Sequence, residues 1–257
     1  MNTDTFFSPR GLASLLSFPF RNRETFTRFL FLGGFFALGW VFPLLPILIS
    51  AGYLLEVLRL AAQGAQPTLP PWENWGRLLL NGLKVFGGGL VFLLPSLILA
   101  IKAFVLYFGG MVVFAALADA GREGLAFLLM FLAVTLLFVF QMLGFLFYLI
   151  GGTLLQPALA HMALRESFSA LFDFKGWWRV FKASKGGFIV TFLLGVMLFY
   201  GIQLALALTF PIWIFFLFFL PVLTSFAFAY AFTLWTWLGG AAYSESLSTL
   251  EENASLE

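Results

Sequence analysis

Cysteine is absent from the 257 residues and histidine occurs once, at His161. Without cysteine no disulfide can form and no thiolate metal site can be built. A lone histidine leaves the usual zinc sets and nucleophile–base pairs short of members. No catalytic residue, metal ligand or cofactor-binding residue is therefore assigned, no cofactor is expected, and the chain is expected not to be an enzyme. His161 follows Gln156-Pro157 and is expected in a hydrogen-bonded interfacial role. Charge is the second scarcity. Asp, Glu, Lys and Arg make up 10% of the chain against 61% hydrophobic residues, where a soluble domain carries roughly 25% charged residues. So few charges cannot cover a water-facing surface, and 36 Phe on such a surface would aggregate. Hydrocarbon is the solvent this composition fits. The net charge is +2, and the basic residues flank apolar runs, which suits membrane lipids, anionic ones included, and gives no reason to expect a nucleic-acid partner. No short apolar segment with a small-residue cleavage site precedes Arg28, so an uncleaved chain is expected.

Charge-free stretches locate the spans, because crossing a hydrocarbon core takes about 20 mostly apolar residues. Phe29 to Leu55, Gly124 to Leu164 and Gly186 to Ser244 all qualify. The last holds 59 residues, and Phe210-Pro211 predicts a turn that divides it into spans at 187–209 and 212–239. Val85 to Ala118, interrupted by Lys102, predicts one further span followed by a break at Gly109-Gly110. Backbone groups in lipid must be satisfied within their own segment, and nothing alternates at period two, so the class is all-α. The expectation is a polytopic helical bundle of about five hydrophobic segments in a single transmembrane domain, 1–257. Residues 1–28 are expected as a cytoplasmic or interfacial tail and 245–257 as a flexible acidic one.

Arg59, Arg77, Lys84, Arg165, Lys175, Arg179, Lys182 and Lys185 fall in the two long linkers, whereas the short linker between the second and third segments has Arg122 alone. By the positive-inside rule the long linkers and the C-terminus are cytoplasmic. The N-terminal Arg10, Arg21, Arg23 and Arg28 conflict with five full crossings. Pro43-Leu-Leu-Pro46 offers a way out, since two prolines remove two helix donors. Two half-helices, about 29–42 and 47–58, would form a re-entrant hairpin; a 27-residue apolar run is also long enough for one span, and both readings stand.

The linkers carry the densest pattern. Glu56 and Arg59 stand at i, i+3; then come Pro70-Pro71, Trp72, Trp75, Arg77 and Lys84. The second linker repeats the order of parts with Trp177, Trp178, Arg179, Lys182 and Lys185 before glycines and a span. Indoles beside cations mark the headgroup level, so these nine residues are the expected interfacial anchors and contacts for lipid or a partner. The parallel suggests a tandem repeat about an axis along the membrane normal; anchoring residues at any helix entry would look the same. Within the spans the polar positions are Gln141 and Gln203, whose ordinary role is interhelix hydrogen bonding. Lys102 is expected to snorkel toward a surface.

Gly52-Tyr-Leu-Leu-Glu-Val-Leu-Arg59, Leu69-Pro-Pro-Trp-Glu-Asn-Trp-Gly76 running into Gly82-Leu-Lys84, Leu94-Pro95, Ala170-Leu-Phe-Asp-Phe174 before Trp178, and Leu238-Gly-Gly-Ala-Ala-Tyr243 carry a resemblance over most of 45–245. In these elements the chain resembles the prokaryotic membrane proteins grouped as domain of unknown function 4013. The resemblance implies a polytopic membrane fold and no assigned activity. It departs from the family in its Phe-rich closing helix, which argues against a polar conduit there. The expected role is a non-enzymatic subunit or organiser of a larger assembly in the prokaryotic cytoplasmic membrane, with other membrane subunits or self-association as partners. The alternative is a channel or transporter for a small or lipidic solute, with Gln141 and Gln203 along its route.

Overall fold

Long apolar runs in this chain become helices because a coil closes its own hydrogen bonds where water supplies none. The computed structural model describes residues 14–213 and 219–256, and no strand occurs among them. A 3-10 turn at Phe18–Phe20 leads into α1 (Arg23–Leu38), α2 (Leu44–Ala62), α3 (Trp75–Asp119) and α4 (Glu123–Arg165). A second 3-10 turn at Phe168–Phe172 precedes α5 (Phe174–Ala183), α6 (Lys185–Trp213) and α7 (Leu220–Leu256). Of these, α2, α3, α4, α6 and α7 are long and apolar enough to cross a membrane. The all-α membrane bundle is thus in place.

The first apolar run is two helices. Asn22 caps α1 by accepting from the Thr25 N–H at 2.7 Å, and Glu24 sits in its positive first turn. The chain turns at 39–43, and Pro43 and Pro46 then occupy the start of α2, where a missing N–H costs nothing. Arg28, early in α1, donates to the Leu69 carbonyl, while the Trp72 indole N–H donates to the Arg28 carbonyl at 3.0 Å. The start of α1 and the segment beyond α2 therefore share one end, and α1 and α2 form an antiparallel hairpin. Residues 29–55 are therefore not one helix: the division expected at Pro43 to Pro46 falls at 39–43, and α2 is by itself long enough to cross a membrane. Arg10 lies outside the described residues.

Three other boundaries move. α3 runs unbroken through Gly109-Gly110; a helical glycine costs about 1 kcal/mol relative to alanine, which a long packed helix absorbs. α6 passes Phe210-Pro211 and is helical to Trp213, so the turn expected at Pro211 is not there; 214–218 lie outside the described residues. The tail 245–257, expected to be flexible, is helical to Leu256 as the continuation of α7. Ser246, fully buried, donates to the Ala242 carbonyl one turn back on α7 at 2.6 Å. The linkers also differ locally: 63–74 is non-helical, whereas the second linker carries a 3-10 turn and α5.

The chain packs as two units, one of residues up to Gly88 with those from Leu154 onward, the other Gly89–Thr153. In the first, α7 is the hub, packed on α1, α2, α5 and α6. Its Trp237, Leu234 and Tyr243 are buried, with Tyr53, Phe18, Phe188 and Phe192 contributed by other elements. Glycines set the crossings. A Cβ on Gly52 would collide with the Leu78 carbonyl, one on Gly82 with the Leu48 carbonyl, and one on Gly240 would stand 2.6 Å from the Leu58 carbonyl oxygen. Small residues bring backbones together in the absence of a hydrophobic drive between helices in lipid. The second unit is the α3–α4 hairpin about Gly121, whose φ of 69° suits its turn. Ala103, Ala126 and Ala133 are buried there, while Phe104, Val112, Phe127, Phe131 and Phe138 are exposed.

Substituting Gly52 by Ala is expected to cost about 1–3 kcal/mol, since a methyl must be forced against backbone. Gly76→Ala, where nothing lies within 4 Å, is expected to be neutral or mildly stabilising. Thermal unfolding in mild detergent, followed by tryptophan fluorescence, compares the two.

Candidate functional site

Four features of the first unit place the residues singled out above. The end of α2, the start of α3 and the end of α4 meet in a charged cluster. Arg77 pairs with Glu56 at 3.2 Å and Arg59 approaches the same carboxylate at 3.9 Å. Arg59 also pairs closely with Glu166. Asn81 donates to Glu56 at 2.7 Å, and the Lys84 ammonium donates to the Glu166 carbonyl at 3.1 Å. Glu56 is the best shielded, its side chain 12% exposed, and these donors satisfy its oxygens where water has little access. Glu166 holds φ 54°, a left-handed conformation costing a non-glycine residue about 1–2 kcal/mol. That conformation ends α4 and sets the carboxylate against Arg59. The cluster borders a small polar pocket of about 90 Å³.

Next to it, with Leu55 in both walls, opens an apolar cavity of about 400 Å³. Phe36 of α1, Ile47 and Leu58 of α2, Val85 of α3, Leu159 of α4 and Trp235 of α7 are among its lining residues.

The third feature is an aromatic stack. Trp72 lies flat on Tyr53 at 3.9 Å and 5° and continues to Phe35 at 5.3 Å and 10°. The Tyr53 hydroxyl donates to the Pro70 carbonyl at 2.8 Å. Trp72 is thus half-buried packing that fastens the linker to α1 and α2, while its neighbour Trp75 is exposed. Arg77 and Lys84, expected in the linker, stand on α3 within the charged cluster.

The fourth is α5 with the residues that hold it. Trp177, Val180 and Phe181, at i, i+3 and i+4, are buried, and the Trp177 indole donates to the Leu171 carbonyl at 3.0 Å. An anchor role for Trp177 at the surface is therefore corrected: its spacing puts it on the inward stripe. Phe174, Lys175, Trp178, Arg179 and Lys182 form the exposed side, and Lys185 is exposed at the start of α6. Asp173 caps α5, accepting from the Gly176 N–H at 3.0 Å, and its other oxygen lies 3.2 Å from His161 Nε2. His161 Nδ1 lies 2.7 Å from the Tyr243 hydroxyl. A neutral imidazole satisfies both contacts when Nε2–H donates to Asp173 and Nδ1 accepts from Tyr243. The single histidine thus ties α4, α5 and α7 together, in the hydrogen-bonded role expected of it. The Gly176 N–H, with His161 and Arg165 beyond it, holds the Asp173 carboxyl below the usual carboxylate range against a smaller opposing effect of desolvation.

Gln141 lies on α4 in the second unit and Gln203 on α6 in the first; both are exposed on their own units. The pairing of Glu166 with Arg59 joins residues far apart in sequence and has no local sign. The left-handed turn that aims Glu166 has no sequence signature, since glycine or asparagine is the residue that normally marks it.

A family model described as Protein of unknown function (DUF4013) matches residues 35–211. The glycine crossings of α2 and α3, the charged cluster and α5 lie inside the match; the closing element 238–243 lies beyond it. No curated protein and no solved structure matches the chain.

Since Asp173 has a lowered folded pKa, its contribution is present above the unfolded value of about 3.9 and disappears as pH falls through the folded one. Acid titration should therefore release α5 below about pH 4, read as loss of the near-ultraviolet signal of Trp177. Asp173→Asn should lower stability at neutral pH and remove that acid step.

Proposed function

The chain belongs to the family of proteins of unknown function DUF4013, and from that premise we propose that it is a non-enzymatic organiser of a larger membrane assembly that grips anionic lipid through α5. The observation that carries the reading is the division of α5 into a buried aromatic stripe and an outward side bearing Lys175, Arg179 and Lys182 beside Phe174 and Trp178. Such a helix lies in the headgroup region with its cations toward phosphate. Its N-cap Asp173 is tied through His161 to Tyr243 of α7, so contact with the membrane surface is passed to the hub of the first unit.

The outward Phe127, Phe131 and Phe138 of the second unit supply an apolar surface for lipid and for neighbouring helices. In this reading the long linkers and C-terminus face the cytoplasm of a prokaryotic cell, where most of the cations would stand. A non-enzymatic role is supported by the use of both His161 nitrogens in structural contacts. Gln141 and Gln203 lie on helices of separate units, and a shared polar route is not part of the proposal.

Each cation near an anionic surface contributes about 1 kcal/mol. Replacing Lys175, Arg179 and Lys182 together by Gln should lower retention of anionic lipid, measured by lipid analysis of protein extracted in mild detergent, without changing the unfolding temperature. The same extraction should yield a partner subunit in fixed stoichiometry, lost on Phe131→Ala with Phe138→Ala. A protein that purifies alone and monomeric, with its lipid retention unaffected by the three Gln substitutions, would overturn the reading.

A further inference from the structure

The apolar cavity and the charged cluster are arranged as an amphiphile is. Along α3 the lining passes from Val85 in the cavity to Lys84, Asn81 and Arg77 in the polar pocket. Along α4 it passes from Leu155 and Leu159 to Met162 and on to Glu166, while on α2 the two linings stand side by side, Leu54 and Leu58 in the cavity and Glu56 and Arg59 in the pocket. The pocket lies where α2 and α4 finish and α3 begins. In a bilayer crossed by these helices, the charges at that end suit the headgroup level and the apolar cavity suits the hydrocarbon beyond it.

The cavity volume of about 400 Å³ falls within the roughly 300–1,000 Å³ of small-molecule sites. Its walls are almost wholly apolar, so they suit an alkyl chain and give a sugar or a peptide nothing to bond. At the mouth, Arg59, Arg77 and Lys84 face the carboxylates of Glu56 and Glu166, which leaves one positive charge uncovered. Each guanidinium has five N–H donors and the ammonium three. The carboxylates and the Glu166 carbonyl use only part of them; Arg77 is exposed, and Lys84, half-buried, gives one of its three donors to the Glu166 carbonyl.

We propose that this pair of cavities binds one monoanionic glycerophospholipid, with an acyl chain in the apolar cavity and the phosphate on Arg77 and Lys84. The surplus of a single positive charge selects a headgroup with one net negative charge over a zwitterionic one. Glu166, whose side chain is 59% exposed, accepts from hydroxyls on that headgroup. The site is separate from the outward face of α5 and stands whether or not the protein assembles with partners.

The test uses the full-length protein, delipidated in detergent and returned to nanodiscs or mixed micelles of defined composition. Native mass spectrometry then counts retained lipid. Phosphatidylglycerol, phosphatidylethanolamine and phosphatidylcholine of matched chains form three arms, and glycerol 3-phosphate without a chain forms the fourth. In the Lys175→Gln, Arg179→Gln, Lys182→Gln background, which removes the contribution of α5, the expected result is one retained phosphatidylglycerol, preferred over phosphatidylcholine by roughly tenfold or more, and no retention of glycerol 3-phosphate. Adding Arg77→Gln with Lys84→Gln to that background should abolish the preference and leave residual retention of either lipid. Ala51→Phe, which fills the cavity from α2, should reduce retention of every lipid while the cations remain. Loss of anionic selectivity in the Lys175, Arg179 and Lys182 variant alone would assign the lipid to α5. Equal retention of the lipids by the wild type would overturn the proposal. So would strong binding of the chainless phosphate, or unchanged retention by Ala51→Phe. Should the Arg77/Lys84 variant fail to fold, the lipid preference of the Lys175, Arg179 and Lys182 variant and Ala51→Phe still decide the matter.

Discussion

The arrangement depends on the contact of backbone with backbone where α2 crosses α3. Gly52 and Gly82 each face a carbonyl of the other helix, at Leu78 and Leu48, and neither position has space for a methyl group. In hydrocarbon the usual reward for burying apolar side chains is missing, because lipid is as apolar as leucine. What remains is close packing, and its strength grows as the axes approach. The same crossing determines the chemistry nearby. One turn beyond Gly52 lies Glu56, and beside Gly82 lies Asn81, so the approach that brings the glycines together also brings the amide to the carboxylate at 2.7 Å. Arg77, a further turn back on α3, then reaches Glu56 from the other side. The charged cluster is a consequence of the crossing.

The other crossings follow the same logic with different fillers. The ring of Phe226 lies over Gly33 and the indole of Trp235 over Gly195, so α7 meets α1 and α6 with an aromatic plate in place of bare backbone. Gly240 brings α7 nearer to α2, against Leu58 and Ala61. α7 can therefore be a hub without being uniform: it lies close at one crossing and spaced by rings at others. The second unit shows the pattern in its simplest form, since its two helices meet through Ala103, Gly110, Ala126 and Ala133 and turn their larger residues outward. A hairpin joined by small residues keeps its two backbones close, and its phenylalanines are left to the surroundings.

Much of this was legible in the sequence wherever the signal was local. Charge-free runs located the long helices, Pro43 and Pro46 marked the division of the first run, and Trp, Lys and Arg picked out both linkers. The errors arose where a local sign was outweighed by context. Gly109-Gly110 and Pro211 read as breaks, but a long helix tolerates such residues when its neighbouring turns are intact, and α3 and α6 run through them. The acidic residues from Glu245 onward read as a tail on charge alone, whereas α7 continues through them to Leu256. Trp177 and Trp178 read alike as anchors. The phase of Val180 and Phe181 separates them, because i, i+3 and i+4 share a face, and only the first of the two indoles belongs to it. Contacts between residues distant in sequence, such as Arg59 with Glu166 and His161 with Tyr243, had no local sign at all.

The charged cluster raises a question of cost that bears on its purpose. Taking a carboxylate out of water is expensive, and pairs of buried charges recover that expense only with good geometry. Glu56 is shielded and has three polar neighbours, whereas Glu166 is exposed and adopts a backbone conformation that disfavours its residue type. A fold selected for stability alone would gain from an apolar residue at the first position and glycine at the second. The cluster persists at the level where the helices become polar, beside an apolar cavity that the surrounding side chains leave unfilled. An open apolar cleft and a surplus of charge are each unfavourable without a complementary partner. A ligand with a chain and one negative charge removes both costs together and, by binding the folded state, stabilises it in proportion to the logarithm of its occupancy. The two unfavourable features are adjacent, and a single amphiphile compensates for both.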